Sequence, residues 1–367
     1  MNIYVTSEQV GLQGYWVTDI LAGISKEALK KNINIVDYRG EKPEITDEYY
    51  SRPLVLAIGH SYQWMESTCR QMMRKGVEPL LVNAGQDIHT EMLGAVGFVS
   101  FGIQKAMYRI MNYLISNKRT KIAFFGAHDE THSDHVKIDE FLKLCSHMNL
   151  NLGESDVYKD ITVADCAKSF ELNMHRYNAV IFSSDAAAVY LLRWLQKKGV
   201  KVPEDLFVIG FGNSIISKAI KPTLTTVENN FVELGHQAVK LHQFLQRNSD
   251  IHTASILVEC PLIERQTTGA VRYKSAEPRN VAVNMPLYDA DPDILASLQI
   301  EELLRMWDDI DRQIIDGLLQ DKTIVVIAEG LFVSVCSVKN RSKKMRVAGN
   351  FKNNEELGEV VKKFNIV

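Results

Sequence analysis

The stretch from Asn178 to Asn213, NAVIFSSDAAAVYLLRWLQKKGVKVPEDLFVIGFGN, leaves a chain few ways to fold. Ala179 to Phe182 is a short apolar run, as expected of a parallel strand buried on both faces. Ser183-Ser184-Asp185 then supplies a turn and a helix N-cap. Ala187, Tyr190, Leu191, Trp194 and Leu195 recur at helical spacing. Gly199 ends that helix, Val202-Pro203-Glu204-Asp205 reads as a surface turn, and Leu206 to Phe211 is a second apolar strand. Strand, helix and strand in this space make one right-handed βαβ unit. Open parallel sheets bind ligands beyond the carboxyl ends of their strands. Here those ends carry Ser184-Asp185 and Phe211-Gly212-Asn213.

The chain has 367 residues, enough for two or three domains. No apolar run approaches the roughly 18–20 residues of a membrane span. The first residues, MNIYVTSEQV, enter a strand directly, with no basic n-region and no cleavage site, which points to the cytoplasm. Cys69, Cys145, Cys166, Cys260 and Cys336 lack any C-x-x-C spacing. They read as reduced thiols, neither a disulfide framework nor a zinc site. The net charge of −3 says little about partners; its distribution says more.

Taken in order, strands are expected at 2–6, 33–36, 54–58, 80–83 and 121–125. Helices are expected at about 17–30 and 102–116. Gly59-His60-Ser61 is a second strand-end turn, which puts His60 and Ser61 on the side of the sheet where ligands bind. Residues 127–137, AHDETHSDHVK, hold three histidines and three acids. That composition invites a metal reading, but the spacing matches no ligand set such as H-E-x-x-H. The other reading is a solvated loop whose polar groups, His128 among them, touch a ligand. No metal and no cofactor is expected.

The 178–213 unit, written GV.VPED..V.GF after its first strand and helix, is followed by Pro222-Thr223-Leu224-Thr225-Thr226-Val227, by Glu233-Leu234-Gly235 and by ILVECPLIERQTTG at 256–269. These four segments, in this order and spacing, resemble the lactose/galactose repressor family (LacI/GalR) over roughly residues 1–269. The resemblance implies an α/β fold of two doubly wound parallel-sheet subdomains, a ligand cleft between them and a hinge. Subdomain one would be about 1–101 and 228–255, and subdomain two about 102–227 and 256–269. It also implies that Tyr15 and Trp16 stack on the ligand, where a residue-level reading has Trp16 capping the sheet. Asp185 keeps the family's cleft acid, and it suits a helix cap equally well. Lys137, ahead of Phe141, stands where the family often has an arginine, and a lysine lacks the bidentate fork. The family's second cleft acid is replaced by Gly212, leaving Asn213 or Asn229 to substitute.

Residues 270–293, with three prolines and weak periodicity, read as a linker. The remainder, 294–367, reads as a small all-α domain. Residues 294–319 are acidic and helical. Thr323 caps a short helix ending at Gly330, Leu331-Phe332-Val333 is a turn, and Ser334 caps a helix running to about Ala348. From Asp321 onward there are nine Lys and Arg against five Asp and Glu. Two short helices with the second one basic form a helix-turn-helix. The pattern Ile327-Ala328, Leu331, Ser334, Ser337, Val338 and Lys339 resembles the LuxR-type DNA-binding domain. It implies DNA contacts from Thr323, Ser334, Ser337, Lys339, Arg341, Lys343, Lys344 and Arg346. Apolar Ile324, Val325 and Val326 depart from that pattern and are expected to pack against the sensor. The repressor family's own N-terminal helix-turn-helix is absent, and the tail would replace it.

Two functions follow. One is a ligand-responsive transcription regulator: a sugar or related polar metabolite closes the cleft and alters how a homodimer reads a palindromic operator. The other is a small-molecule receptor whose tail binds a protein. An enzyme is not expected, since no G-x-S-x-G, P-loop, acid pair or Cys/His set is found.

Overall fold

Fully buried apolar strands build two parallel sheets, each flanked by helices. The computed structural model describes residues 2–8, 15–43, 52–83, 94–127, 132–160, 162–269 and 292–364. The first unit is built from β1 (Asn2–Ser7), α1 (Tyr15–Lys30), β2 (Asn34–Asp37), β3 (Leu54–Ile58), α2 (Tyr62–Arg74), β4 (Glu78–Val82) and β5 (Phe98–Phe101). The chain then crosses to a second unit. It holds α3 (Ile103–Ser116), β6 (Ile122–Ala127), α4 (His132–His147), β7 (Val157–Lys159), α5 (Val163–Glu171), β8 (Ala179–Phe182), α6 (Asp185–Lys197), β9 (Phe207–Gly212), α7 (Ile215–Ala219) and β10 (Thr225–Glu228). It returns through α8 (Phe231–Arg247) and β11 (Ile256–Val258), and crosses a third time into β12 (Leu262–Ile263). The sheet orders are β11-β5-β4-β3-β1-β2 and β12-β10-β9-β8-β6-β7.

All ladders are parallel except β10–β12. Every residue of β3, β8 and β9 is buried, as strands covered on both faces require. In each sheet the strand order reverses once, between β1 and β3 and between β6 and β8, which is where an open α/β sheet leaves a crevice.

The expected boundary at residues 255–256 moves. Ile256–Val258 pairs with β5 in the first sheet, so the third crossing falls at 259–261. The expected loop at 127–137 is also shorter, because α4 already begins at His132 and Lys137 lies inside it. His128 lies outside the described residues. Among the described residues, no helix is long and apolar enough to cross a membrane and no three potential ligands cluster for a metal.

The tail folds into α9 (Pro292–Met306), α10 (Asp309–Leu319), α11 (Ile324–Gly330), α12 (Val335–Ala348) and α13 (Asn354–Phe364). Its apolar residues are continuous with the outer face of the second sheet. Val189, Leu192 and Ile216 of that subdomain share one buried cluster with Ile300, Leu303, Ile314, Ile327, Val338, Leu357 and Phe364. The helical region is therefore mounted on the second subdomain through α9, which packs on both α6 and α7.

In the first subdomain α1 and α8 cross at a pair of glycines. A Cβ on Gly23 would lie 2.0 Å from the Val232 carbonyl oxygen, and one on Gly235 2.1 Å from that of Ile20. Neither helix can accept a methyl group there without moving apart. Gly23→Ala is expected to cost roughly 1–3 kcal/mol by overpacking, read as a lower urea midpoint with an unchanged m-value.

Candidate functional site

The carboxyl ends of β8, β9 and β10 converge on one buried carboxylate. Ser184 caps α6 by accepting from the Ala187 N–H at 3.3 Å, which sets Asp185 in the first turn. Asp185 is fully buried. Its Oδ2 accepts from the Ser214 N–H at 2.7 Å and the Ser214 hydroxyl at 2.9 Å, and its Oδ1 accepts from the Thr226 hydroxyl. β9 permits this contact by presenting Gly210, where a Cβ would stand 2.3 Å from Asp185 Oδ1. Burial pushes the Asp185 carboxyl above the usual range, opposed by the Thr226 and Ser214 hydrogen bonds and by the charge of Arg265.

Around this carboxylate the network closes. Asn213 sits at φ +54, a left-handed position that Asn tolerates better than most residues. Its N–H donates to Thr226 Oγ1 at 3.2 Å, its side-chain amide to Glu228 Oε1 at 3.2 Å, and its Oδ1 accepts from Arg265. Arg265, itself buried, also donates to the Leu224 carbonyl at 2.7 Å and to Ser217 Oγ at 3.2 Å. Lys137 is buried nearby. Its ammonium lies 2.8 Å from Asp134 and 2.9 Å from the Ser183 carbonyl, and 5.2 Å from the centre of the Phe211 ring.

The first subdomain's strand end is organised by Glu8, just past β1. Its carboxylate accepts from the N–H groups of His60 and Ser61 at 2.9 and 3.2 Å and from the Ser61 hydroxyl, and lies 3.1 Å from His60 Nδ1. Burial acts to raise the Glu8 carboxyl, but these donors outweigh it and hold it down at about 2. Ser61 also caps α2.

The residues expected at the cleft are therefore placed unevenly. Asp185, Asn213 and Lys137 are brought together at the strand ends of the second subdomain, and His60 and Ser61 at those of the first. Trp16 differs from the stacking expectation: it is 2% exposed, edge-on to His60 at 5.1 Å and tilted on Phe231 at 6.4 Å. Its ring belongs to the core of the first subdomain, because α1 turns it inward onto the sheet. Tyr15 opens α1, and its side chain lies outside those described. Asn229 is half-buried in the second crossing. Several residues in these networks carry no signal of their own in the sequence, among them Glu8, Ser214, Ser217, Thr226, Glu228 and Arg265. Thr226 and Arg265 lie inside the quoted PTLTTV and ERQTTG segments, which was the available signal.

In the tail, Thr323 accepts from the Val326 N–H at 3.4 Å and Ser334 from the Ser337 N–H at 3.1 Å, so both are helix caps. α11 and α12 are joined by a turn in which Phe332 has φ +55 and is 96% exposed. Ile327, Ala328, Val338, Ser342 and Met345 face inward. Lys339, Asn340, Lys343, Lys344 and Val347 of α12 face out, with Ser337 half-buried beside them. Two of the expected DNA contacts are otherwise engaged. The Arg341 guanidinium lies 2.8 Å from both Asp308 and Asp311, the acids of the α10 capping box, and Arg346 donates to the Lys352 carbonyl at 3.4 Å. Arg341 sits at the edge of α12 with its side chain 31% exposed, where α10 supplies two carboxylates, and it ties those helices together. Val325 and Val326, expected against the sensor, are each about half exposed.

Two doubly wound sheets with polar networks at their strand ends, linked by three crossings, define a periplasmic-binding-protein-like core. Residues 111–268 match the periplasmic binding protein-like domain family. The chain is 28% identical over 185 residues to the NTD biosynthesis operon regulator NtdR of Bacillus subtilis, covering 49% of this chain and 55% of that protein. It spans about half the length of the curated relatives it matches first. A transcription regulator from Lactobacillus plantarum superimposes with a TM-score of 0.57 at 18% identity, over 73% of this chain and 99% of the other. The lac repressor dimer bound to operator and the anti-inducer ONPF gives 0.58 at 15%, over 74% and 82%. These likenesses establish the two-subdomain fold.

The Asp185 network has a measurable weight. Arg265→Met removes the cation that faces a fully buried carboxylate and strands the Asn213 and Leu224 acceptors. Leaving these buried acceptors without their charged donor costs roughly 1–3 kcal/mol, which should appear as a lower urea midpoint. An unchanged midpoint would mean that Arg265 does not hold the network together.

Proposed function

We propose that the protein is a ligand-responsive transcription regulator of the cytoplasm, with a LacI/GalR-like sensor and a C-terminal helix-turn-helix of LuxR type. The observation that carries this reading is the outward face of α12. Lys339, Lys343 and Lys344 stand exposed on the second helix of a helix-turn-helix, and that helix is fixed to a binding-protein core. The likeness to NtdR and to the operator-bound lac repressor supports it from outside the chain.

The effector is a small polar metabolite, of which a sugar is one class. It would lie between the strand ends that carry Glu8, His60 and Ser61 on one side and Lys137, Asp185 and Asn213 on the other, with Asn229 of the second crossing beside them; Tyr15 and His128, expected among the contacts, have no described side chain. In the present arrangement Asp185 already accepts from Ser214 and Thr226, so a ligand hydroxyl reaches it only by displacing one of them or by using a remaining lone pair. The protein acts as a homodimer on a palindromic operator, since one basic helix reads one half-site. Exposed Tyr108 on α3 and Met73 on α2 offer apolar surface for the contact between the two copies.

The test is a salt titration of binding to duplex DNA. Lys343→Ala should weaken every duplex about equally and flatten the slope of log affinity against log salt by about one unit. Arg341→Ala should instead lower the melting temperature of the helical region and leave the ranking of sequences unchanged, because its guanidinium serves Asp308 and Asp311. Salt-independent binding, or none in the wild type at low salt, would overturn the reading.

A further inference from the structure

Glu301 belongs to α9, the helix that opens the tail, yet its side chain ends inside the sensor. It is 2% exposed. Its Oε1 accepts from the Ile215 N–H and its Oε2 from the Ile216 N–H, each at 2.8 Å. The residue before these, Ser214, donates its own N–H to Asp185 from the other side. Three successive N–H groups in the turn after β9 are thus held by two carboxylates. One comes from the ligand-facing network, the other from the mount of the helix-turn-helix.

We propose that Glu301 is the positioning residue that couples the cleft to the DNA-binding region: the state of the 213–216 turn sets how firmly α9 is seated, and so where α12 stands. The proposal rests on the regulator reading above. The turn is anchored on the cleft side by Thr226, which donates to Asp185 and accepts from Asn213, and by Arg265, which holds Asn213 and Ser217. A ligand that takes the Thr226 or Ser214 hydroxyl away from Asp185 moves Ser214. It must then re-aim the next two N–H groups, because a peptide unit is planar and short. Among the described residues Glu301 has no other donors of this quality: Arg305 of its own helix is 3.9 Å away. Two buried N–H groups stripped of a carboxylate are costly, so the turn and α9 move together or separate together. By linkage the coupling is reciprocal, and DNA held by α12 alters the cleft in return.

Protonation gives an independent handle. The groups that face Glu301 are Asp185 of α6, Lys218 of α7 and Arg305 of its own helix, with Arg265 beyond Asp185. Burial, with a smaller push from Asp185, raises the Glu301 carboxyl from 4.5 to about 7 against the pull of the two N–H groups and Arg305. A carboxyl whose seated value is raised favours the seat below its free value and loses that advantage as pH climbs through the raised one. Between pH 6 and pH 8 the unseating equilibrium of α9 should therefore rise about tenfold.

Hydrogen exchange on the full-length chain, followed by mass spectrometry over 297–305 and 206–218 and expressed as protection factors, tests this without ligand or DNA. Thr226→Val removes one cleft-side hydroxyl and touches nothing on α9. It should lower α9 protection at least threefold in the wild-type background and leave it unchanged in the Glu301→Gln background. The tenfold loss between pH 6 and pH 8 should likewise vanish in Glu301→Gln. If Thr226→Val leaves α9 protection within twofold of wild type, Glu301 is only a clamp and the coupling is wrong. Should Glu301→Gln fail to fold by circular dichroism, Thr226→Val alone and the wild-type pH dependence still decide, since both must respond. Because no DNA enters the measurement, this failure is distinct from a failure of the regulator reading, which the salt titration addresses.

Discussion

Two buried carboxylates grip three consecutive N–H groups, and the arrangement of the second subdomain and the tail hangs on that grip. Asp185 takes Ser214, and Glu301 takes Ile215 and Ile216. Each acid is expensive to bury, and each is tolerable only while its donors are aimed at it. Asp185 has two hydroxyls and the nearby charge of Arg265; Glu301 has two backbone amides and Arg305. The turn after β9 is consequently the point where strand ends, cleft polarity and the helical tail meet. An apolar isostere at either acid would leave donors without partners in a closed interior.

Apolar packing supplies the rest. The tail shares its core with the outer helices of the second sheet, so α9 is a structural part of the second subdomain and α11 and α12 are carried with it. Charge then separates the two faces of α12. Inward, Arg341 neutralises the acids at the start of α10. Outward, three lysines remain in solvent with no carboxylate bonded to them among the described residues.

Much of this was legible in the sequence, for physical reasons that differ by element. The strands β3, β8 and β9 announce themselves because burial on both faces demands an unbroken apolar run. The caps Ser184, Thr323 and Ser334 announce themselves because a side-chain oxygen before an apolar-periodic run has one common use. The starts of the two short helices α11 and α12 followed from those caps. What stayed hidden was partnership. Trp16 reads the same whether its ring faces ligand or core; α1 packing decides it. Arg341 and Lys343 look equivalent on a basic helix until α10 brings Asp308 and Asp311 to one of them. Glu301 sits in an acidic helix whose other acids look alike, and only the docking of α9 on α7 sends it inside. The small slip of β11 into the first sheet has the same origin, since Ile256–Val258 finds its partner in β5, more than 150 residues earlier in the chain, which the local pattern does not show.

The central claim is that a binding-protein core carries a DNA-reading helix. Selection of the full-length protein on random duplexes at low salt tests it most directly. The account predicts enrichment of a sequence with two inverted half-sites, and loss of that enrichment when Lys339 and Lys343 are both replaced by Ala. A selected pool indistinguishable from the input, with the chain folded and each candidate metabolite tried in turn, would contradict it.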